Sequence, residues 1–166
     1  MANYDFKKDL IEGQEGEETV ISFLEKKGNT LVSRCDTKTH DTIMNVKGVD
    51  TSYEIKTDVY PKDTGNIFIE FECRGNPSGI EVTTSDWFVT YFKHYNEMWF
   101  IKTPTLKKLI SDNNFYTTSN SGDSGSNTKG YLIKKRLFKQ FFKVFKFLLS
   151  NIYARSFARI FFYICF

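Results

Sequence analysis

The stretch 41–56, DTIMNVKGVDTSYEIK, constrains this chain more than any other. Two strand-like runs, 42–46 and 51–57, flank Lys47-Gly48. Glycine at the second loop position suits a tight hairpin turn that needs positive φ. With that two-residue loop, Val46 opposes Val49 and Asp41 opposes Glu54. A four-residue loop sets Asp41 opposite Lys56 instead. Side chains two apart on a strand point the same way, about 6.6 Å apart. Either even loop therefore keeps Asp41, Glu54 and Lys56 on one face. A three-residue loop would separate them.

The surrounding pattern reads as a mixed α/β chain. Residues 14–27 predict a helix, with Val20, Ile21 and Leu24 as its apolar stripe and Gly28 as its C-cap. Strands are expected at 30–34, 66–72, 87–92 and 97–101. Residues 74–85 read as loop, and Thr105 as the cap of a short helix over 106–111. This order predicts an α/β (α+β mixed) fold with a central mixed, largely antiparallel sheet flanked by helices. Residues 1–116 form the expected core and 117–130 (TTSNSGDSGSNTKG) a polar linker.

Charge separates the end of the chain from the rest. Eight of the 23 Lys and Arg residues lie in 131–166, with no acid among them. That leaves 15 basic against 20 acidic groups in residues 1–130. Phe138, Phe141, Phe142, Phe145, Leu148, Leu149 and Ile152 recur at helical spacing, while Lys135, Lys139, Lys143 and Lys146 follow another face. Residues 131–166 are thus expected to form a basic, aromatic amphipathic helix. It would complete the core, hold DNA or a dimer partner, or lie on an anionic membrane. Packing on the core or a partner is preferred to membrane contact. The chain contains no 18-residue uncharged apolar run and its first residues contain no secretory h-region. Cys35, Cys73 and Cys165 form no CxxC pair, which argues against a zinc site or a disulfide scaffold. A cytoplasmic, reduced setting is expected.

The chemistry lies in the acids. Like charges opposed across two strands destabilise a sheet unless something offsets them. A divalent cation would do so, since two carboxylates and a carbonyl make a hard oxygen site suited to Mg²⁺. A lysine beside it would hold or deprotonate a water, as metal-assisted phosphodiester hydrolysis requires. Glu17 shares the apolar face of the first helix, an unexpected place for a carboxylate. Glu18 points about 100° away, toward solvent.

Gly13 and Gly16-Glu17 on the helix, Asp41 at a strand start and Glu54-Ile55-Lys56 on the next strand follow in a telling order. Over residues 10–112 the chain resembles the PD-(D/E)xK nuclease superfamily, and within it the Holliday-junction-resolvase-like branch. The resemblance implies a restriction-endonuclease-like core. It implies that Asp41, Glu54 and the carbonyl of Ile55 bind Mg²⁺ (or Mn²⁺). Lys56 would position the attacking water and steady the transition state. Glu17 would bind a second metal or its water shell. His40 stands where the family often has proline. Asp50 and Asp58 share the Glu54 face by even spacing and compete as ligands.

The loop after the third predicted strand offers Arg74, Asn76, Ser78, Thr83 and Thr84, side chains suited to phosphate contact. Glu70 and Glu72 precede it on the strand. His40 and His94 are isolated and read as surface residues. The expected function is a Mg²⁺-dependent endonuclease hydrolysing DNA, with branched or junction DNA and a homodimer as further implications of the resemblance. The alternatives are an inactive nucleic-acid-binding module of the same fold, or a peripheral membrane protein using its basic tail.

Overall fold

The computed structural model describes residues 6–35, 37, 39–119 and 127–146. Helix α1 (Phe6–Lys26) leads into β1 (Thr30–Arg34), β2 (Thr42–Val46) and β3 (Val49–Asp58). Strands β4 (Asn66–Cys73) and β5 (Asn76–Pro77) follow, then a 3₁₀ turn (Gly79–Glu81), β6 (Trp87–Phe92) and β7 (Glu97–Lys102). After α2 (Thr103–Asp112) come β8 (Tyr116–Ser119), β9 (Lys129–Lys134), α3 (Lys135–Phe138), a 3₁₀ turn (Lys139–Phe141) and β10 (Lys143–Lys146). Six strands form one sheet in the order β1-β2-β3-β6-β7-β10, and four form a second, β5-β4-β9-β8. The fold is mixed α/β as expected. Only β3 and β6 pair in parallel within the six-stranded sheet.

The β2–β3 hairpin has the two-residue turn. Lys47 and Gly48 both take positive φ, 53° and 88°, as a tight turn matched to strand twist requires. Val46 pairs with Val49 and Thr42 with Tyr53. One face of the large sheet, carrying Tyr53 and Ile55, packs against Val20, Ile21, Phe23 and Leu24 of α1. The other face, with Phe88, Phe92 and Ile101, packs against Ile67, Ile69 and Ile133 of the second sheet. The expected helix on that face is therefore replaced by a sheet. Among the described residues no helix is long and apolar enough to cross a membrane.

Two glycines of α1 behave oppositely. A Cβ on Gly16 would lie 1.8 Å from Thr57 Oγ1 and 2.8 Å from Thr57 Cβ. No rotamer of Thr57 relieves the second clash, so glycine is what lets α1 settle onto β3. A Cβ on Gly13 would meet nothing within 4 Å. Gly13→Ala is expected to raise stability by about 0.5–1 kcal/mol through helix propensity. Gly16→Ala should lower it by about 1–3 kcal/mol through overpacking. Denaturant melts of the two variants check this; shifts of the same sign would refute it.

The C-terminal half departs from expectation. Thr117–Ser119 of the expected linker lie in β8, and Lys129-Gly130 open β9, to which β8 pairs. Residues 120–126 lie outside the described residues. Residues 131–146 form no long helix; they supply most of β9, then α3 and β10. The periodicity of the phenylalanines misleads because both faces of β10 are covered. Val144 packs toward the second sheet and Phe145 toward α1. Strand β10 pairs with β7 through Lys143–Phe100 to Lys146–Glu97, closing an edge that a helix would leave open. Residues 147–166, the rest of the expected amphipathic segment, lie outside the described residues.

Lys135, expected on a solvated face, is buried. Its Nζ sits 3.6 Å from the centroid of the Phe92 ring and 3.0 Å from Asp63 Oδ1. The ring face and the carboxylate together replace water around the ammonium. Helix α2 begins at Thr103, not after Thr105, because Pro104 stands in its first turn with φ already set for helix.

Candidate metal and phosphodiester site

Beyond Tyr53 the β2 side of β3 is open, because β2 starts at Thr42, the partner of Tyr53. Asp41 fills the step just outside. Its N–H donates to the Tyr53 carbonyl (2.9 Å), and its Oδ2 accepts the Ile55 N–H (2.6 Å). A side-chain carboxylate thus continues the ladder where the strand has ended. By strand alternation the Ile55 carbonyl faces the same open side.

Glu54 and Lys56 lie on the other face of β3, toward the second sheet. Lys56 Nζ is 2.6 Å from Glu54 Oε1. The Glu54 side chain is 5% exposed and that of Lys56 is 41% exposed. Glu54 Oε2 is buried with no hydrogen-bond partner. A buried carboxylate oxygen without a donor is costly, and the exceptions in native proteins call for a cause.

The acids act on one another. Burial pushes the Glu54 carboxyl above the ordinary glutamate range; the Lys56 charge opposes this and the Asp41 charge adds to it. Glu17, half-buried, is raised by burial first and then by the Asp41 charge, against a lowering by Lys56. Lys56 loses solvation, yet Glu54 and Asp41 hold its amine above the ordinary lysine value. The ion pair looks favourable from Lys56 and unfavourable from Glu54. The Glu54 side decides the balance, since it is the enclosed partner and the lysine keeps access to water.

Glu17 reaches this place because Gly16 packs against Thr57 and so sets the next residue of α1 beside the open end of β3. It forms no ion pair among the described residues. Glu18 turns outward as expected and takes Arg34 through two bonds of 2.7 and 2.8 Å. The four expected residues Glu17, Asp41, Glu54 and Lys56 are therefore brought within electrostatic reach of one another. Asp50 and Asp58 are occupied elsewhere. Asp50 Oδ1 accepts from Asn45 Nδ2 and Asp58 Oδ1 from the Tyr60 N–H.

The expected phosphate-contact loop divides. Arg74 and Gly75 form a tight β4–β5 turn with φ of 53° and 79°, and Arg74, Asn76 and Thr84 are exposed. Ser78 is half-buried with a buried, unpartnered Oγ. Thr83 is corrected: it is fully buried, and its hydroxyl donates to the Thr39 carbonyl at 2.7 Å. It braces the loop leading into Asp41 and presents nothing to solvent. Glu70 was legible only as a strand acid. Its charge also raises Lys56, a relation hidden in the sequence because β4 belongs to the second sheet. Glu72, two residues on, is engaged by Lys129 at 2.7 Å.

The donor set was tested for a cation. Among the described residues no three Asp, Glu, His or Cys side chains gather tightly enough to hold an ion. Two carboxylates do fit the smaller requirement of Mg²⁺, which keeps several waters and uses one or two protein carboxylates. Glu54 Oε2 is the unused donor such an ion would take. No family model, characterised protein or solved structure matches the chain.

Proposed function

We propose that the chain is a divalent-metal-dependent endodeoxyribonuclease, in keeping with the PD-(D/E)xK resemblance of its sequence. The observation that carries this reading is the buried, unpartnered Glu54 Oε2 beside Asp41 and Lys56. Asp41 and Glu54 would hold Mg²⁺ or Mn²⁺, with the Ile55 carbonyl on the same edge and Glu17 taking a second ion or its water shell. When bound, the ion supplies Lewis-acid stabilisation and lowers the pKa of water.

The chain's own residues then have distinct tasks. Lys56 is cationic at neutral pH, so it donates hydrogen bonds to the attacking water and to the phosphate oxygens instead of accepting a proton. Asp41, fixed by the Ile55 N–H, holds its carboxylate at the strand edge. Burial of Glu54 keeps water from competing for its free oxygen. Arg74, Asn76, Ser78 and Thr84 offer donors for the DNA backbone, which carries most of the affinity in such a complex. A junction substrate and a dimer remain part of the proposal through the resemblance alone.

The test is plasmid nicking by the full chain. Supercoiled DNA should relax in Mg²⁺ or Mn²⁺, and EDTA should stop it. Failure to cleave supercoiled, single-stranded and four-way-junction DNA in either metal would overturn the assignment. Metal-independent retention of DNA without cleavage would favour the inactive binding module instead.

A further inference from the structure

Lys56 carries three N–H donors and is engaged by one carboxylate oxygen, Glu54 Oε1 at 2.6 Å. A cation taken up by Glu54 repels that ammonium, so the lysine needs another seat nearby.

The second sheet supplies one. The Ser78 N–H donates to the Phe71 carbonyl at 3.0 Å. The adjoining Gly79, at φ +51°, lies so close to β4 that a Cβ there would sit 2.4 Å from the Glu70 carbonyl oxygen. Ile80 then enters the core between the two sheets. Thr83 ties to the Thr39 carbonyl, two residues before Asp41. The segment from Glu70 to Thr83 thus clips β4 to the loop that carries Asp41, and brings Glu70 to the Lys56 side of β3. The Glu70 charge is among those that hold Lys56 protonated. Among the described residues Glu70 forms no ion pair of its own.

We infer that Glu70 is a positioning residue that receives the Lys56 ammonium when the Glu54 carboxylate turns to a divalent cation. The inference rests on the reading of Asp41 and Glu54 as the holders of that cation. Lys56 then has two seats on either side of the site. The exchange frees Glu54 without sending the lysine into solvent, and leaves the amine aimed at the reacting phosphate.

Mn²⁺ calorimetry on four full-length proteins tests this: wild type, Glu70→Gln, Lys56→Ala and the double variant. With Lys56 present, Glu70→Gln should weaken Mn²⁺ uptake about tenfold, since the lysine stays on Glu54; coupled neighbouring charges show effects of this size. With Lys56 absent, the same substitution should change uptake less than about twofold. Glu70→Asp should restore uptake in part, and melting curves confirm that each variant is folded. An unchanged affinity in Glu70→Gln, or an equal loss in both lysine backgrounds, overturns the exchange while leaving the metal site standing. Wild type that takes up no Mn²⁺ at all removes both.

Discussion

Lys56→Ala should cut Mg²⁺-dependent nicking about 10²–10³-fold, the usual loss when one preorganised donor to a developing charge is removed. The loss should fall on the rate at saturating DNA and metal. Uptake of Mn²⁺ should not weaken, because the substitution removes the ammonium that holds Glu54 Oε1 at 2.6 Å. Separating these two quantities matters. A lysine that merely propped the strand would change folding and metal uptake together. Lys56→Arg keeps the charge with a different donor geometry and should recover part of the rate. Nicking by Lys56→Ala within tenfold of wild type would remove the lysine from the mechanism.

Glu54→Gln should abolish metal uptake and nicking while making the protein more stable at neutral pH. Burial holds the native Glu54 carboxyl above its unfolded value. The folded chain therefore binds that proton more tightly than the unfolded one. Its stabilising contribution is complete below the ordinary glutamate range and is lost as pH rises through the elevated native value. At pH 7 the side chain is a buried charge with one oxygen unpartnered. Glutamine keeps the shape and removes the charge. A gain of ~1 kcal/mol, or about 2–4 °C in a domain of this size, is expected in EDTA at pH 7. The gap should narrow on acidification through the carboxylate range. A lower melting point for the variant at pH 7 would mean that the Lys56 pair outweighs burial.

Much of the fold was legible because its signals are local. The Lys47-Gly48 turn fixes the β2–β3 register, and with it the relation of Asp41 to Glu54. Strands 30–34, 42–46 and 87–92 follow from short β-rich runs bounded by turn residues. What could not be read was non-local. Residues 143–146 have a pattern compatible with a helix, and only the open edge of β7 makes them a strand. Lys135 counts as a surface charge until Phe92 and Asp63 are placed around it. Glu70 looks like any exposed strand acid until the second sheet is folded over the first. The candidate site divides in the same way. Asp41, Glu54 and Lys56 share one hairpin, whereas Glu17 joins them through the close seat of Gly16 on Thr57. The buried state of Thr83 depends on a partner 44 residues away.

The late position of β10 in the chain has a consequence during synthesis. The strand bearing Glu54 and Lys56 leaves the ribosome early, but its parallel neighbour begins at Trp87 and the far edge of the sheet is closed only by residues 143–146. Pairings across such sequence distances form slowly and leave strand edges uncovered until they do. A nascent chain therefore carries the reactive hairpin without the frame that shapes it. A potentially DNA-damaging protein built this way is held harmless until translation has almost run its course.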